Sequence, residues 1–151
     1  TGFDTSMFMR PINILGLNGI TLEDYWQDYP KAYYSIAMPN FPNLFMLNGP
    51  NGPVGNFSLI DIAEQQMQYI AQLIKLLLQG QAKYIHPKID ATNEYEIARE
   101  TAAKKTVWYL GGCNSWYLNS AGIPASWPWT YGRFVEAMQK PALEDFEVVS
   151  N

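Results

Sequence analysis

One stretch limits the folds open to this chain more than any other. Gly49-Pro50-Asn51-Gly52-Pro53-Val54-Gly55-Asn56 places three glycines and two prolines in eight residues. Proline lacks the donor that helix and sheet interiors need, and glycine loses more freedom than other residues when held in either. The stretch is therefore an irregular loop. It runs into the strongest helix signal in the sequence, over 58–79, with Ser58 as a natural N-cap, Asp61 at the third helical position and Gly80 past the end. Leu59, Ala63, Ile70, Ile74 and Leu77 recur at helical spacing, and Ile62, Met67 and Leu73 widen that face. From Leu73 to Leu78 only Lys75 is polar, so the last turns are expected to be buried on several sides.

Around this unit the signals are shorter. Asn18-Gly19 marks a turn, and Thr21 with Asp24 three residues on marks the start of a short helical turn. Residues 32–37 and 43–47, apolar, aromatic and bounded by prolines, are predicted as strands, as is Lys83-Tyr84-Ile85-His86, closed by Pro87. A polar helix is expected over 91–105, capped by Thr92 or Asn93, with Glu96, Glu100 and Lys104 down one solvated face. Residues 106–110 read as a β-type run ending in Gly111-Gly112. Arg133 to Met138 close a turn of helix, and the acidic tail after Pro141 is expected to be loose. The fold class is α/β, more narrowly an α+β fragment with one long buried helix, short strands and aromatic-rich loops.

Composition removes several classes of function. Fourteen acidic against ten basic residues give a net charge of −4, and the longest basic cluster is Lys104-Lys105, so nucleic acid is not an expected partner. No run of 18 apolar residues occurs and the first residues lack a signal-peptide pattern, so no membrane span or leader is expected. The lone Cys113 points to a reducing, cytoplasmic setting. A single histidine, His86, rules out multi-histidine metal sites within the chain, and no metal ligands are assigned. Aromatics, by contrast, are abundant: 5 Trp, 10 Tyr and 7 Phe among 151 residues. Rings at this density need a large core or something else to pack against.

Two segments have the chemistry of a binding site. Glycines at 49, 52 and 55 allow the backbone to approach a ligand closely, and the N-terminus of the following helix offers unpaired N–H groups to an anion or an electron-rich carbonyl. The spacing is G-x-x-G-x-x-G, not G-x-G-x-x-G, so a plain connecting loop is an equal reading. The second segment, Gly111-Gly112-Cys113-Asn114-Ser115-Trp116-Tyr117-Leu118-Asn119, suits a loop folding over a flat ring, with Trp116 to stack and Asn and Ser to hydrogen-bond. The plainer reading is that Trp116, Trp127 and Trp129 seal a hydrophobic rim.

Taken together, these motifs resemble class B flavoprotein monooxygenases. Thr1-Gly2-Phe3-Asp4 resembles the end of that family's A-T-G-F-D segment. Pro42-Asn43-Leu44-Phe45-Met46-Leu47-Asn48-Gly49-Pro50-Asn51, with Asn56 and Glu64-Gln65 beyond, resembles its later FAD-contacting loop and helix. Gly111 to Leu118, then Trp127-Pro128 and Tyr131-Gly132-Arg133-Phe134, resembles the C-terminal region of Baeyer–Villiger monooxygenases, in particular the 4-hydroxyacetophenone type. The resemblance runs from residue 1 to about residue 146, as separate motifs in the family's order.

The resemblance implies the C-terminal part of a protein with two dinucleotide-binding domains. NADPH would reduce FAD, and a C4a-peroxyflavin formed with O₂ would convert a ketone to an ester or lactone. It implies cofactor-binding roles for Gly2, Phe3 and Asp4 at the connection between domains. Gly49, Pro50, Asn51, Gly52, Val54, Gly55 and Asn56 would lie at the flavin, and Leu59 near its ring on the substrate side. Ser115, Trp116 and Tyr117 would lie at NADP, Trp116 matching a tryptophan that closes over that cofactor. The implied division is 1–57 for strands and flavin loop, 58–110 for helices and strands, and 111–151 for the cofactor-closing loop and tail. Neither G-x-G-x-x-G nor F-x-G-x-x-x-H-x-x-x-W-P is present, and no catalytic residue is assigned, neither Arg10 nor Arg133 being matched to the family's active-site arginine. The expectation is a chain inactive alone, its partner being the missing N-terminal portion of its own protein. Two alternatives stand beside this one: a flavin enzyme oxygenating nitrogen or sulfur, and a non-enzymatic aromatic-rich binding module.

Overall fold

The computed structural model describes residues 8, 9, 11–53, 55, 57–112 and 115–150. Its helices are α1 (Leu22–Tyr25), α2 (Leu59–Leu78), α3 (Ile89–Ala103), α4 (Val107–Leu110) and α5 (Tyr131–Met138); its strands are β1 (Tyr84–Pro87) and β2 (Phe146–Val149). The strands pair antiparallel, Tyr84 opposite Val149 and Pro87 opposite Phe146. Helix α2 crosses the middle, with α5 and β1 packed against it.

Helix α2 begins and ends where its caps dictate. Ser58 Oγ accepts the Asp61 N–H at 3.5 Å, and Gly80 takes a φ of +68° just past the last turn. Its buried face, however, is Ile62, Gln66, Tyr69, Ile70 and Leu73. The expected face is corrected accordingly: Leu59, Met67 and Ile74 are exposed, and Leu78 is 83% exposed, so the last turns are covered on one side only. In the last turns, where only Lys75 is polar from Leu73 to Leu78, periodicity no longer selects a face, and the neighbouring elements do.

The main core joins α2 to Tyr33, Ile85, Tyr95, Trp127, Phe134, Met138 and Phe146. A smaller core gathers Leu22, Trp26, Ala32, Met38, Phe41 and Met46. Aromatic rings hold the main core by edge contacts. Tyr33 meets Tyr95 and Phe146 at 5.6 Å, and Trp127 meets Phe134 at 5.4 Å. The hydroxyl of Tyr131 at the start of α5 bonds Asp61 near the start of α2, fixing how the two helices meet.

Several expected elements take another form. Residues 32–37 and 43–47 are not strands: Tyr34 and Ser35 have φ of 48° and 62°, and Ile36 N–H donates to Tyr33 O at 3.0 Å, closing a turn of the kind that joins hairpin strands. Only isolated bridges occur there, Tyr33 to Ala37 and Ala37 to Phe45. Residues 107–110 form a helical turn, not a β run, with Val107 and Leu110 facing outward. Helix α3 starts earlier than predicted, after Lys88, without a side-chain cap. Thr92 is buried inside it and bonds back to Lys88 O at 2.9 Å. The acidic tail is ordered: Lys88 N–H donates to Asp145 O, Phe146 enters the core, and β2 completes the sheet. β1 and α5 form at the predicted places.

Candidate functional site

The two segments singled out by their chemistry meet in one cleft. Its volume is about 130 Å³. Asn48, Gly49, Pro50 and Asn51 form one part of the lining; Trp116, Tyr117, Asn119 and Ala125 form another; Phe8, Tyr29 and Pro30 complete it.

The glycine-loop wall is held from below. Asn48 N–H donates to Gln66 Oε1 at 2.7 Å, Asn51 Nδ2 to Pro30 O at 3.1 Å, and Trp127 N–H to Gly52 O at 3.0 Å. Asn48 and Asn51 sit at φ of 50° and 63°, the left-handed region that asparagine tolerates better than most residues. Glycine at 49 is demanded by the fold itself, and at 52 the room for a side chain is tight. A Cβ at 49 would stand 2.2 Å from Ser35 O, and one at 52 would stand 3.3 Å from Ser35 Oγ. Gly55, at φ +90°, touches the opposite wall, where a Cβ would lie 2.9 Å from Tyr117 Oη.

The Trp116 wall is a small hairpin. Leu118 bridges Pro124, Ala125 N–H donates to Tyr117 O at 2.7 Å, and Asn119 N–H donates to Ile123 O at 2.9 Å. Trp116 and Tyr117 stack at 3.9 Å between centroids, and Trp108 meets Tyr117 edge-on at 4.9 Å. Trp116 is 42% exposed, whereas Trp127 is buried in the core. The rim reading thus separates the tryptophans: Trp127 seals the interior and Trp116 presents a face to the cleft. Ser115 Oγ accepts the Tyr117 N–H at 3.3 Å, a local turn bond, and is not in the lining.

Other predicted residues fall elsewhere. Leu59 lies in a neighbouring apolar groove with Leu47, Ile60, Ala63 and Met67, and Asn48 is shared between groove and cleft. Gly2, Phe3, Asp4, Val54 and Asn56 lie outside the described residues, as do Cys113 and Asn114. Residues that sequence reasoning did not assign are Phe8, Tyr29, Pro30, Asn48, Asn119 and Ala125. Asn48 and Asn119 adjoin or end the two flagged segments; nothing local marks the others.

A charged layer lies beneath the cleft, from the helix read as solvated. Arg99 is fully buried and Glu96 nearly so. Arg99 Nε donates to Glu96 Oε2 at 2.9 Å and Nη1 to Pro124 O at 3.0 Å. The Tyr29 hydroxyl bonds Glu100. Burial raises the Glu96 carboxyl above the usual carboxylate range, although Arg99 pulls it back down. Burial, then the bond to Glu100, raises the Tyr29 phenol. Among the described residues there is no group of three or more His, Cys, Asp or Glu that would hold a metal ion, and no helix is long and apolar enough to cross a membrane.

Two buried polar atoms in lining residues have no hydrogen-bond partner: Asn48 Oδ1 and Asn119 Nδ2. One accepts and the other donates. Gln66 Nε2, Tyr69 Oη and Tyr95 Oη in the core are unpaired in the same way, so the two amide atoms do not by themselves mark a ligand. Aromatic faces, amides and glycine-loop backbone together suit a flat heterocycle carrying an amide or imide.

The fold is that of the C-terminal part of Baeyer–Villiger monooxygenase structures, as the sequence resemblance implied. A cyclohexanone monooxygenase mutant from Rhodococcus sp. Phi1, solved bound to NADP+, matches all of this chain with a TM-score of 0.83 at 27% identity, over 28% of its own chain. No family model matches the sequence. An uncharacterised monooxygenase of Mycobacterium tuberculosis is 47% identical over 128 residues, 85% of this chain and 26% of its own length. An FAD-binding monooxygenase of Aspergillus niger is 33% identical over 97% of this chain and 25% of its own, and a Baeyer–Villiger monooxygenase of Streptomyces coelicolor is 30% identical over 99% and 29%. The chain is homologous to FAD-binding and Baeyer–Villiger monooxygenases and spans about a quarter of the length of these curated relatives.

Proposed function

We propose that the chain is the C-terminal part of an FAD- and NADPH-dependent monooxygenase that inserts oxygen into ketones to give esters or lactones. The observation that carries this reading is the shared cleft: Gly49 to Asn51 and Trp116-Tyr117, far apart in sequence, line one space. The rings of Trp116 and Tyr117 and the amides of Asn48, Asn51 and Asn119 in the lining support a fit to amide-bearing rings, which the flavin and nicotinamide both are. When bound, NADPH supplies the reducing equivalents and FAD the oxygen chemistry. The chain's own contribution is to bind and orient. The glycine loop holds the flavin edge with backbone groups, and Leu59 in the adjoining groove is assigned to the substrate side. Trp116 and Tyr117 cover the nicotinamide and exclude water. On this reading residues 1–57 serve the flavin and 111–151 close over NADP, with Gly2 to Asp4, Val54, Asn56 and Ser115 as further cofactor contacts. The single cysteine supports a cytoplasmic location.

The test has two arms. The purified chain alone is expected to retain no flavin absorbance through gel filtration and to leave NADPH absorbance at 340 nm unchanged; turnover by the chain alone would sink this assignment. In the full-length protein carrying the segment, oxygenation of a ketone to an ester, with amine and sulfide substrates as controls, identifies the reaction. Trp116→Ala there is expected to weaken NADP+ binding about tenfold while flavin is retained.

A further inference from the structure

Helix α3 carries a buried ion pair where the sequence suggested a solvated face, and that pair reaches the cleft from behind. Arg99 Nε donates to Glu96 Oε2 at 2.9 Å, Nη2 lies 2.9 Å from the same oxygen as an ion pair, and Nη1 donates to the Pro124 carbonyl at 3.0 Å. Pro124 is the bridge partner of Leu118, so this bond tethers the hairpin that bears Trp116 and Tyr117. Glu100, 3.8 Å from Arg99 Nη2, takes the Tyr29 hydroxyl on the other side of the cleft. Tyr29 and the Trp116 hairpin, two parts of the lining, are thus fastened to one turn of α3. Burying two charges is expensive, and a well-packed apolar pair of similar volume commonly serves stability as well or better. Stability alone therefore does not account for a guanidinium here, whereas a fork that bonds a carboxylate and a carbonyl together fixes direction.

We propose that Arg99, oriented by Glu96, is a positioning residue that sets the Trp116 hairpin at the distance from the glycine loop that the nicotinamide cofactor requires. The proposal rests on the reading that Trp116 covers that cofactor.

The experiment compares three variants of the full-length protein with the parent, reading melting temperature, bound flavin, NADP+ affinity and amide exchange over residues 115–125. Glu96→Leu/Arg99→Met removes both charges and keeps an apolar core. It is expected to keep the melting temperature and the flavin, to exchange about tenfold faster over 115–125, and to bind NADP+ about tenfold more weakly, the loss of one charge-assisted hydrogen bond. Arg99→Lys, which restores the charge without the fork, is the guard against a double variant that does not fold; it is expected to share the faster exchange. Unchanged exchange over 115–125 in whichever of these variants folds overturns the proposal, leaving the pair a structural one. Trp116→Ala separates the two ideas. If it leaves NADP+ affinity intact the nicotinamide reading fails, while the exchange data still decide whether Arg99 holds the hairpin.

Discussion

Gln66 shows how much a single side chain decides here. It is fully buried on α2, and its Oε1 accepts the Asn48 N–H that anchors the glycine loop. Gln66→Leu fills the same space but orphans that N–H, so about 1–3 kcal/mol of stability is expected to disappear in urea denaturation. No local pattern marks Gln66 as the buried one among Gln65, Gln66 and Gln68; a neutral amide looks solvated until something is placed on it. Gly49 is the opposite case. Its need for room was legible from the G-P-N-G run, but the reason is the Ser35 carbonyl 2.2 Å from where a Cβ would stand. Gly49→Ala is expected to destabilise by about 1–3 kcal/mol, as overpacking against fixed backbone does. A thermal melt of the variant measures it.

At the scale of elements, the ends of α2 were readable and its buried face was not, while α3 began earlier than its cap residues suggested. Ser58, Asp61 and Gly80 mark α2 because caps act within a few residues of the chain. The side it buries depends on α5 and β1, which arrive from far along the sequence. The paired prediction is sharp: Leu73→Ala is expected to cost about 2–5 kcal/mol, since Leu73 is fully buried, whereas Leu78→Glu is expected to stay within about 0.5 kcal/mol. Equal losses in denaturant titrations of the two would contradict the observed face. The same logic explains why 32–37 looked like a strand. Its residues favour β structure, but Tyr34 and Ser35 accept positive φ because Tyr34 gains ring contacts with Tyr33 and Tyr95 at 4.6 and 4.7 Å.

For the molecule as a whole, the aromatic density finds its explanation in three places: the core around α2, the smaller core around Trp26 and Phe41, and the cleft at Trp116. The main core has a consequence at alkaline pH. Burial raises the phenols of Tyr33, Tyr69 and Tyr95 above the ordinary tyrosine range, Tyr33 also through its bond to Asp145. Their folded values lie above the unfolded value of about 10, so the stability they contribute is complete below that pH and is lost as pH rises beyond it. Absorbance at 295 nm is expected to show exposed tyrosines ionising first. A later phase should coincide with loss of far-ultraviolet circular dichroism. Ending the chain at Lys140 removes Phe146 and the Tyr33–Asp145 bond, and cooperative thermal unfolding is expected to vanish.

By itself the sequence determined the loop at 49–56, the helix that follows it, both cleft segments and their resemblance to flavin monooxygenases, because caps, turns and motifs are written in adjacent residues. The tertiary structure alone decided that Gly49 to Asn51 and Trp116 line one space, that Arg99 and Glu96 are buried beneath it, and that the acidic tail is a strand. Each of those depends on contacts between residues distant in sequence, whose energies come from desolvation and packing that no local pattern encodes.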